Sequence, residues 1–569
     1  MTTAAAKLTA VTPDQVDPIT VEVIRHSLVS AAELMRLTLA RAAYSPIIYE
    51  AVDFCCAVYD TDRRLLGQGR SLPLWLGTMH FCIESAVANV GGEATLRPGD
   101  VLLHTGAYET GSHAQDLAII VPSFLDGKLI GYATTKAHQM DMAAKHPYCM
   151  DTTDLFQEGV IFPGVRLFRA GERVDDMWRT LLANTRLPQT LEGDVSAAIA
   201  SAHVGAQALS DVVAKFGADV FAAAVERIFA LSEAAIRRRI TALPDGEYRA
   251  ASAIDNDGVL IDELIPFEVC VRVAGSTVTV DLSAAPDQRG GPVNCPLPST
   301  VSAARFAILS LIARSEEINE GHFRAIELQT REGSIFHPRP PAPIFVYFVA
   351  AMIAIDTIHL AMSPVMKDET AAGSGGDLGG IIAWNFTADG ELDAIGADHP
   401  TGQGATSTGD GAPPMTHISC SGGRNTPIEV FENRFSGIVV EKVELAVDSG
   451  GIGQFRGGLG ALYRYRALQP FQCTAGNDRQ QTPPEGLFGG GKALPNATEL
   501  YVDDKLVRRI SKVNDLTVPA DAYLQVRVGG GGGYGNPAER DRAAIIDDIR
   551  DGYITEQAAR RDYPHAFAQ

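Results

Sequence analysis

The sequence predicts an α+β fold: a mixed single body of several sub-domains, α/β at its N-terminus and β-rich and glycine-rich at its C-terminus. Three observations carry that expectation. Apolar residues at three- and four-residue spacing mark long helices early in the chain, whereas two-residue alternation dominates later. The 55 glycines and 31 prolines require many tight turns, and the glycines gather beyond Gly373. The 569 residues exceed what one core usually fills, at ~150 residues per packing unit.

Asp17-Pro18 pairs an N-cap with a proline at the first helical position. Ile24, Leu28, Ala31, Met35, Leu39 and Ala42 then line one face, predicting a helix to about Ala43. Residues 54–140 read as short strands and turns. Residues 192–243 read as two helices divided at Gly217 and stopped by Leu243-Pro244-Asp245-Gly246. FEVCVRV, the turn Ala274-Gly275 and STVTVDL form a hairpin. Further helices are expected over 303–318 and 350–361. Beyond them GIVVEKVELAV, LYRYRAL, TELYVD and YLQVRV alternate as strands, before a helical tail over 538–560. No period of about 20–50 residues indicates a repeat protein. These changes set four regions: α/β over 1–190, helical over 191–250, α+β over 251–370 and glycine-rich β over 371–569.

With 48 Lys+Arg against 69 Asp+Glu the net charge is −21, which disfavours nucleic acid or membrane as the main partner. Hydrophobic residues at 46% and charged residues at 21% are ordinary for a soluble domain. The eight cysteines form no C-x-x-C pair, so a zinc knuckle has no support. The start MTTAAAKLTAVTPDQ has neither a basic n-region nor an apolar h-region, so reduced thiols and a cytoplasmic location are expected. The longest apolar run, 344–355, is too short to span a bilayer.

The most informative segment is GSHAQDLAIIVPSFLDGKLIGYATTKAHQMD. Asp116 precedes an apolar run, Asp126-Gly127 is a hairpin turn signal, and 129–137 reads as the return strand. A three-residue loop centred on Gly127 sets Asp116 opposite His138, and a two-residue loop moves the register by one. Opposed residues have Cβ atoms ~5 Å apart, so carboxylate and imidazole meet at the open end of the hairpin. His113, three residues upstream, folds over the same point. Two imidazoles and a carboxylate suit a divalent ion such as Mn²⁺, Zn²⁺ or Fe²⁺. Three protein ligands leave positions for water or substrate, as metal-ion catalysis requires. The structural alternative is a turn-capping His113, a strand-starting Asp116 and a hydrogen-bonded core His138. On the first reading the N-terminal α/β region is a metal-binding region.

GLFGGGKA, residues 486–493, approaches the phosphate-loop pattern G-x-x-x-x-G-K-[ST]. Ala493 stands where a Mg²⁺-binding hydroxyl belongs, and Pro495 prevents a long helix from following, so the anion-binding rationale fails. SGGIGQFRGGLG and VGGGGGYGNP lack the strand-then-helix setting of a dinucleotide fingerprint and read as close approaches of backbone. Nucleotide, if used, is expected on another chain.

Many ordered blocks carry a resemblance. They include DPITVEVIRHSL, AYSPIIYEAVDFCCAVYD, LPLWLGTM, GSHAQDLAIIVPSF, KAHQMD, LFQEGVIFPGVRL, GPVNCP, INEGHFRAI, FRGGLGALYRY, GNDRQQTPPEGLFGGG and GGGGGYGNPAERD. Nearly end to end, the chain resembles the B subunits of ATP-dependent hydantoinases and oxoprolinases, which are similar to the large subunits of acetone and acetophenone carboxylases. The resemblance implies a divalent metal on His113, Asp116 and His138, with Asp53 as a fourth ligand or metal-side base. Asp53, Asp116 and His138 are then the candidate catalytic residues. It also implies a hydantoinase A-type partner that binds ATP and Mg²⁺, in a hetero-oligomer such as A2B2. That partner phosphorylates a carbonyl oxygen, and the B subunit then adds water or a carboxyl group.

The chain departs from the family pattern at Tyr49, Ala51 and Val52, at Thr105-Gly106-Ala107-Tyr108, at Trp75 and at Gln139. Fewer charges and an added aromatic imply a more apolar substrate, with Tyr49, Trp75, Tyr108 and Gln139 as candidate contacts. The expected function is the metal-bearing B subunit of an ATP-dependent cyclic-amide hydrolase. The alternatives are a component of a ketone carboxylase and a non-catalytic scaffold for the A-type partner.

Overall fold

Asp17 caps the first helix as its sequence requires: Oδ2 accepts the Thr20 N–H at 2.9 Å, and the helix runs Pro18–Ala42. The structure, a computed structural model, describes residues 11–313, 316–376, 379–421 and 423–567. Residues 1–10, most of the stretch in which a leader pattern was not expected, lie outside the described residues.

The helix packs on a seven-stranded sheet. Its strands are β1 (Phe54–Tyr59), β2 (Leu65–Gln68), β3 (Val101–His104), β4 (Asp116–Leu125), β5 (Lys128–His138), β6 (Pro163–Arg169) and β7 (Glu172–Arg173). They pair antiparallel in the order β2-β1-β5-β4-β3-β6-β7. Both faces of the sheet are covered, and strand periodicity sorts the residues between them. Phe54, Cys56, Val58, Leu117 and Ile119 join the core made with helices Pro18–Ala42 and Pro188–Phe216. Cys55, Ala57, Tyr59, Ala118 and Ile120 join the opposite core, with helices Met79–Asn89, Leu297–Ile312 and Tyr347–Met362. Asp116 and His138 lie on this second face, between the sheet and the Tyr347–Met362 helix.

Helices Pro188–Phe216 and Ala218–Thr241 meet at Gly217, and the second hairpin pairs Ala274 with Thr277, its turn one residue later than expected. The Met79–Asn89 helix falls where short strands and turns were expected. Its buried Met79, Cys82, Ile83, Ala86 and Val87 follow helical spacing, yet Thr78 makes no side-chain cap bond to announce the start. The helix expected over 303–318 runs Leu297–Ile312 instead, because Pro298 sits in its first turn, where a missing N–H costs nothing. The tail forms two helices, Arg542–Arg550 and Glu556–Asp562. All eight cysteines are buried free thiols. Among the described residues no helix is long and apolar enough to cross a membrane.

A four-stranded sheet (Gly246–Ile254, Ile265–Ala274, Thr277–Asp281 and Ile326–Gln329) backs the second core. Two further sheets of four and five strands build the C-terminal region. Its glycines are used at Gly529–Gly533, which runs among several other segments. Gly531 N donates to Gly458 O at 2.9 Å, Gly532 N to Gly373 O at 2.7 Å and Gly533 N to Gly491 O at 3.0 Å. Gly531 O accepts from Gly451, and Gly532 O from Ala405. The partner changes at each residue, so this glycine bundle is hydrogen-bonded on several sides rather than as a flat sheet. A Cβ on Gly531 would run into the carbonyl of Gln403, and one on Gly533 into that of Ile452.

Candidate metal centre

The β4–β5 hairpin sets the geometry. Leu125 pairs with Lys128, so the turn is the two residues Asp126-Gly127, with φ of 49° and 75°. Both positive angles suit the aspartate-glycine pair. A bulge between Ser123 and Phe124 then shifts the register by one and sets Asp116 opposite His138. The expected pairing thus arises from a shorter turn and a compensating bulge.

His113 folds back over the pair. Its Nε2 lies 3.0 Å from Asp116 Oδ1 and 3.0 Å from His138 Nδ1, and His138 Nδ1 lies 2.9 Å from the same carboxylate oxygen. All three residues are buried. His113 Nδ1 donates to the Phe345 carbonyl at 2.8 Å, which leaves Nε2 as the lone-pair nitrogen of the neutral ring. That lone pair faces a carboxylate oxygen and a second imidazole nitrogen. Such a convergence of acceptors is repulsive until a cation or an added proton sits among them, so the donor set fits a divalent ion. Among the described residues this is the one group of three or more His, Cys, Asp or Glu with metal-ligand spacing.

Supporting contacts hold each member. Glu158 Oε1 accepts the N–H groups of Ile344 and Phe345 at 2.8 and 2.9 Å, fixing the residue whose carbonyl orients His113. Such outer partners orient metal-binding imidazoles. Asp116 Oδ2 lies 3.4 Å from the Tyr347 hydroxyl, which accepts the Trp75 indole N–H at 2.5 Å. Lys136, fully buried two residues before His138, donates to Thr110 O at 2.9 Å and lies 5.1 Å from the Trp75 ring centre.

Two more carboxylates reach the site. Asp53, whose carbonyl accepts the His138 N–H at 3.1 Å, precedes β1. Asp398 follows the strand Leu392–Ala397 of the C-terminal region. Both line a cavity of about 100 Å³ with His113 and His138, and its remaining wall includes Ile47, Trp75, Tyr148, Phe348, Met352 and Ile382. Burial raises Asp53 to about 7, against the pull of His138 and with help from Asp116 and Asp398. Burial likewise raises Asp398 to about 6, with His138 opposing. Asp116 goes the other way: burial alone would raise it, but once the imidazoles carry the added proton, the charge and hydrogen bonds of His113 and His138 hold it far below the usual carboxylate range.

Of the four expected substrate contacts, Trp75 lines the cavity and three stand elsewhere. Tyr49 ends the short helix Pro46–Tyr49 and its hydroxyl meets Arg434 at 3.2 Å, leaving Ile47 in the wall. Tyr108 donates to Ala342 O at 2.9 Å and packs near Leu155 and Ile344. Gln139 is buried behind the hairpin, its backbone N–H on Gln115 O and its side chain on Ala137 O. Asp398, Tyr347 and Tyr148 are additions that no spacing pattern announced. Asp398 lies in a glycine-rich stretch about 260 residues downstream of His138.

Comparison with known proteins agrees with this architecture. The hydantoinase B/oxoprolinase family profile matches residues 17–537. A protein of Pseudomonas sp. strain NS671, named for the B component of a D-/L-hydantoinase, is 30% identical over 96% of this chain and 95% of its own. The beta chain of the caprolactamase of Pseudomonas jessenii is 27% identical over 96% of each chain. The crystal structure of the ATP-dependent caprolactamase from that organism superposes with a TM-score of 0.89 at 25% identity, covering 96% of both chains. A nucleotide-free acetone carboxylase shares the fold, with a TM-score of 0.87 at 19% identity over 96% of this chain and 79% of that one. The chain belongs to the hydantoinase B/oxoprolinase family.

Proposed function

We propose that the chain is the metal-bearing B subunit of an ATP-dependent cyclic-amide hydrolase. The observation that supports it is the meeting of His113 Nε2, Asp116 Oδ1 and His138 Nδ1 within 3.0 Å of one another, beside Asp53 and at an apolar cavity. These three side chains would hold one divalent ion (Mn²⁺, Zn²⁺ or Fe²⁺), with Asp53 as a fourth ligand or as the base beside it. When bound, such an ion supplies a Lewis acid and brings the pKa of water towards neutrality.

The chain's own residues perform the remaining tasks. A carboxyl at about 7 is present in both forms near neutral pH, so Asp53 takes a proton from the attacking water and gives it to the ring nitrogen as the carbon–nitrogen bond breaks; the acyl phosphate that remains is hydrolysed by a second water to the free acid and inorganic phosphate. Asp398, at about 6, is a second proton-holding group on the facing wall. Trp75, Ile47, Phe348 and Met352 exclude water and seat an apolar ring. On this reading residues 1–190 carry the metal and 371–569 supply the opposite wall.

ATP and Mg²⁺ belong to a hydantoinase A-type partner that phosphorylates the carbonyl oxygen, in a hetero-oligomer such as A2B2. A cytoplasmic location would give that partner its ATP. The relatives whose names mark them as one component of a larger enzyme support a partnered chain.

The test is to co-express the chain with the ATP-binding partner and supply lactams, hydantoins and 5-oxoproline together with labelled bicarbonate. ATP-dependent ring opening without label in the product is expected. Label retained in the product would make the chain part of a carboxylase instead. A metal-free native complex with full activity would leave the chain as a scaffold.

A further inference from the structure

One wall of the metal cavity is a single face of the four-stranded sheet Leu392–Ala397, Gly380–Phe386, Phe471–Gly476 and Lys512–Val518. Gly380 pairs with Gly476 and Gly476 with Lys512, and directly paired residues project to the same face. All three line the cavity. Among the described residues, a Cβ on Gly380 would meet only Asp398 Oδ1 within 4 Å, at 3.6 Å, so the space above it is open. Gly380 and Gly476 thus form a floor without side chains that runs from Asp398 to Lys512. Met150 covers Gly476, where a Cβ would run into its Cε, and an unbranched thioether is a cover that can turn aside.

Two hydrogen-bonding groups are left over at the Lys512 end of this floor. The buried Lys512 donates to Asn256 O at 3.0 Å and to Asp478 Oδ2 at 2.6 Å. An ammonium carries three N–H groups, and nothing among the described residues takes the third. Asn477 follows Gly476 and also lines the cavity. Its Nδ2 donates to Thr498 Oγ1 at 3.3 Å, while its buried Oδ1 has no partner. A buried polar atom left unmet is costly, so this end of the cavity offers one open donor and one open acceptor.

We propose that Asn477 and Lys512 form a specificity subsite for a primary carboxamide that the substrate carries away from the amide being opened. The carboxamide N–H donates to Asn477 Oδ1, its oxygen accepts from Lys512, and the connecting atoms lie on the glycine floor. Charge selects the same group. Asp478 already answers the Lys512 ammonium, and a carboxylate would set oxygen against Asn477 Oδ1 with no hydrogen between them. An aliphatic end would leave both groups unmet. The inference rests on the cyclic-amide reading for the identity of the ring; the subsite itself rests on the strand pairing and the two open groups.

The test is a ligand-observed NMR titration of the full-length chain, without ATP or partner, using 5-oxoprolinamide and its apolar isostere 5-isopropylpyrrolidin-2-one. The wild type should bind the carboxamide at least about tenfold more tightly than the isostere, and Asn477→Leu should shrink that preference below about threefold. Equal binding of the two rings by the wild type, absence of saturable carboxamide binding, or an undiminished preference in Asn477→Leu would each overturn the subsite. Should Asn477→Leu fail to fold, the wild-type pair decides alone. No turnover enters this measurement, so label retained in the product of the co-expressed enzyme would displace the hydrolase reading and leave the subsite result standing.

Discussion

The indole N–H of Trp75 ends on the hydroxyl of Tyr347 at 2.5 Å, inside a core where neither group meets water. Removing one partner strands the other, at a cost of about 1–3 kcal/mol, whereas removing both leaves neither stranded. Trp75→Phe and Tyr347→Phe should each lower stability by that amount, and the double variant should cost less than their sum. Denaturant titration of all four proteins measures the coupling; strict additivity would mean the hydrogen bond contributes nothing.

His138→Ala should remove metal and product formation together while leaving the fold and partner binding largely intact. Elemental analysis beside activity is the measurement. Full metal content in the variant, or wild-type activity without metal, would dismiss the assignment. Chelation should also lower the wild-type melting temperature reversibly, because an ion that binds only the folded chain stabilises it.

Burial raises Glu158 to about 8 from an ordinary 4.5, against the hydrogen bonds from Thr152, Phe345 and Ile344. The unfolded chain gives up this proton first, so the folded state is favoured most below pH 4.5 and loses that advantage as pH climbs to 8. Glu158→Gln keeps an acceptor for the Ile344 and Phe345 N–H groups and cannot ionise. Its melting temperature should fall less between pH 5 and pH 8 than that of the wild type; identical slopes would show that Glu158 is ionised in the fold.

Gly531→Ala should destabilise the protein by more than about 3 kcal/mol or prevent folding, since its Cβ meets a backbone carbonyl with no flexible end to yield. Gly409→Ala, where a Cβ meets nothing within 4 Å, should stay within about 0.5 kcal/mol. Thermal melts of the pair separate steric exclusion from the general cost of losing glycine.

The isolated chain should not turn over ATP. Lys492 forms an ion pair with Glu485 at 2.6 Å, and its loop leads on to the strand Ala497–Val502 rather than to a helix. Robust ATPase activity abolished by Lys492→Ala would contradict this.

The hairpin that joins Asp116 to His138 was legible because its signals are local: a turn pair, two apolar strands and a period of two. Even there the sequence concealed a turn and a bulge whose offsets cancel. Asp53 came from family resemblance, and no reading of spacing reaches Asp398, because tertiary packing alone joins residue 398 to β5. The Met79–Asn89 helix was hidden for a local reason, the missing cap at Thr78. Tyr49, Tyr108 and Gln139 show the limit of comparing letters: a substitution beside a site need not point into it.

The glycine bundle has a consequence for synthesis. Its central segment, Gly529–Gly533, leaves the ribosome after all the segments that surround it, so those segments must wait with their carbonyls and amides unpaired. Gly380, Gly396 and Asp398 of the cavity wall lie within the region that this segment completes. A chain truncated before Val528 would therefore keep the His113–Asp116–His138 hairpin yet lack a closed cavity, and its exposed glycine segments would be open to pairing with other copies. Closure of the cavity is thereby tied to the synthesis of Gly529–Gly533.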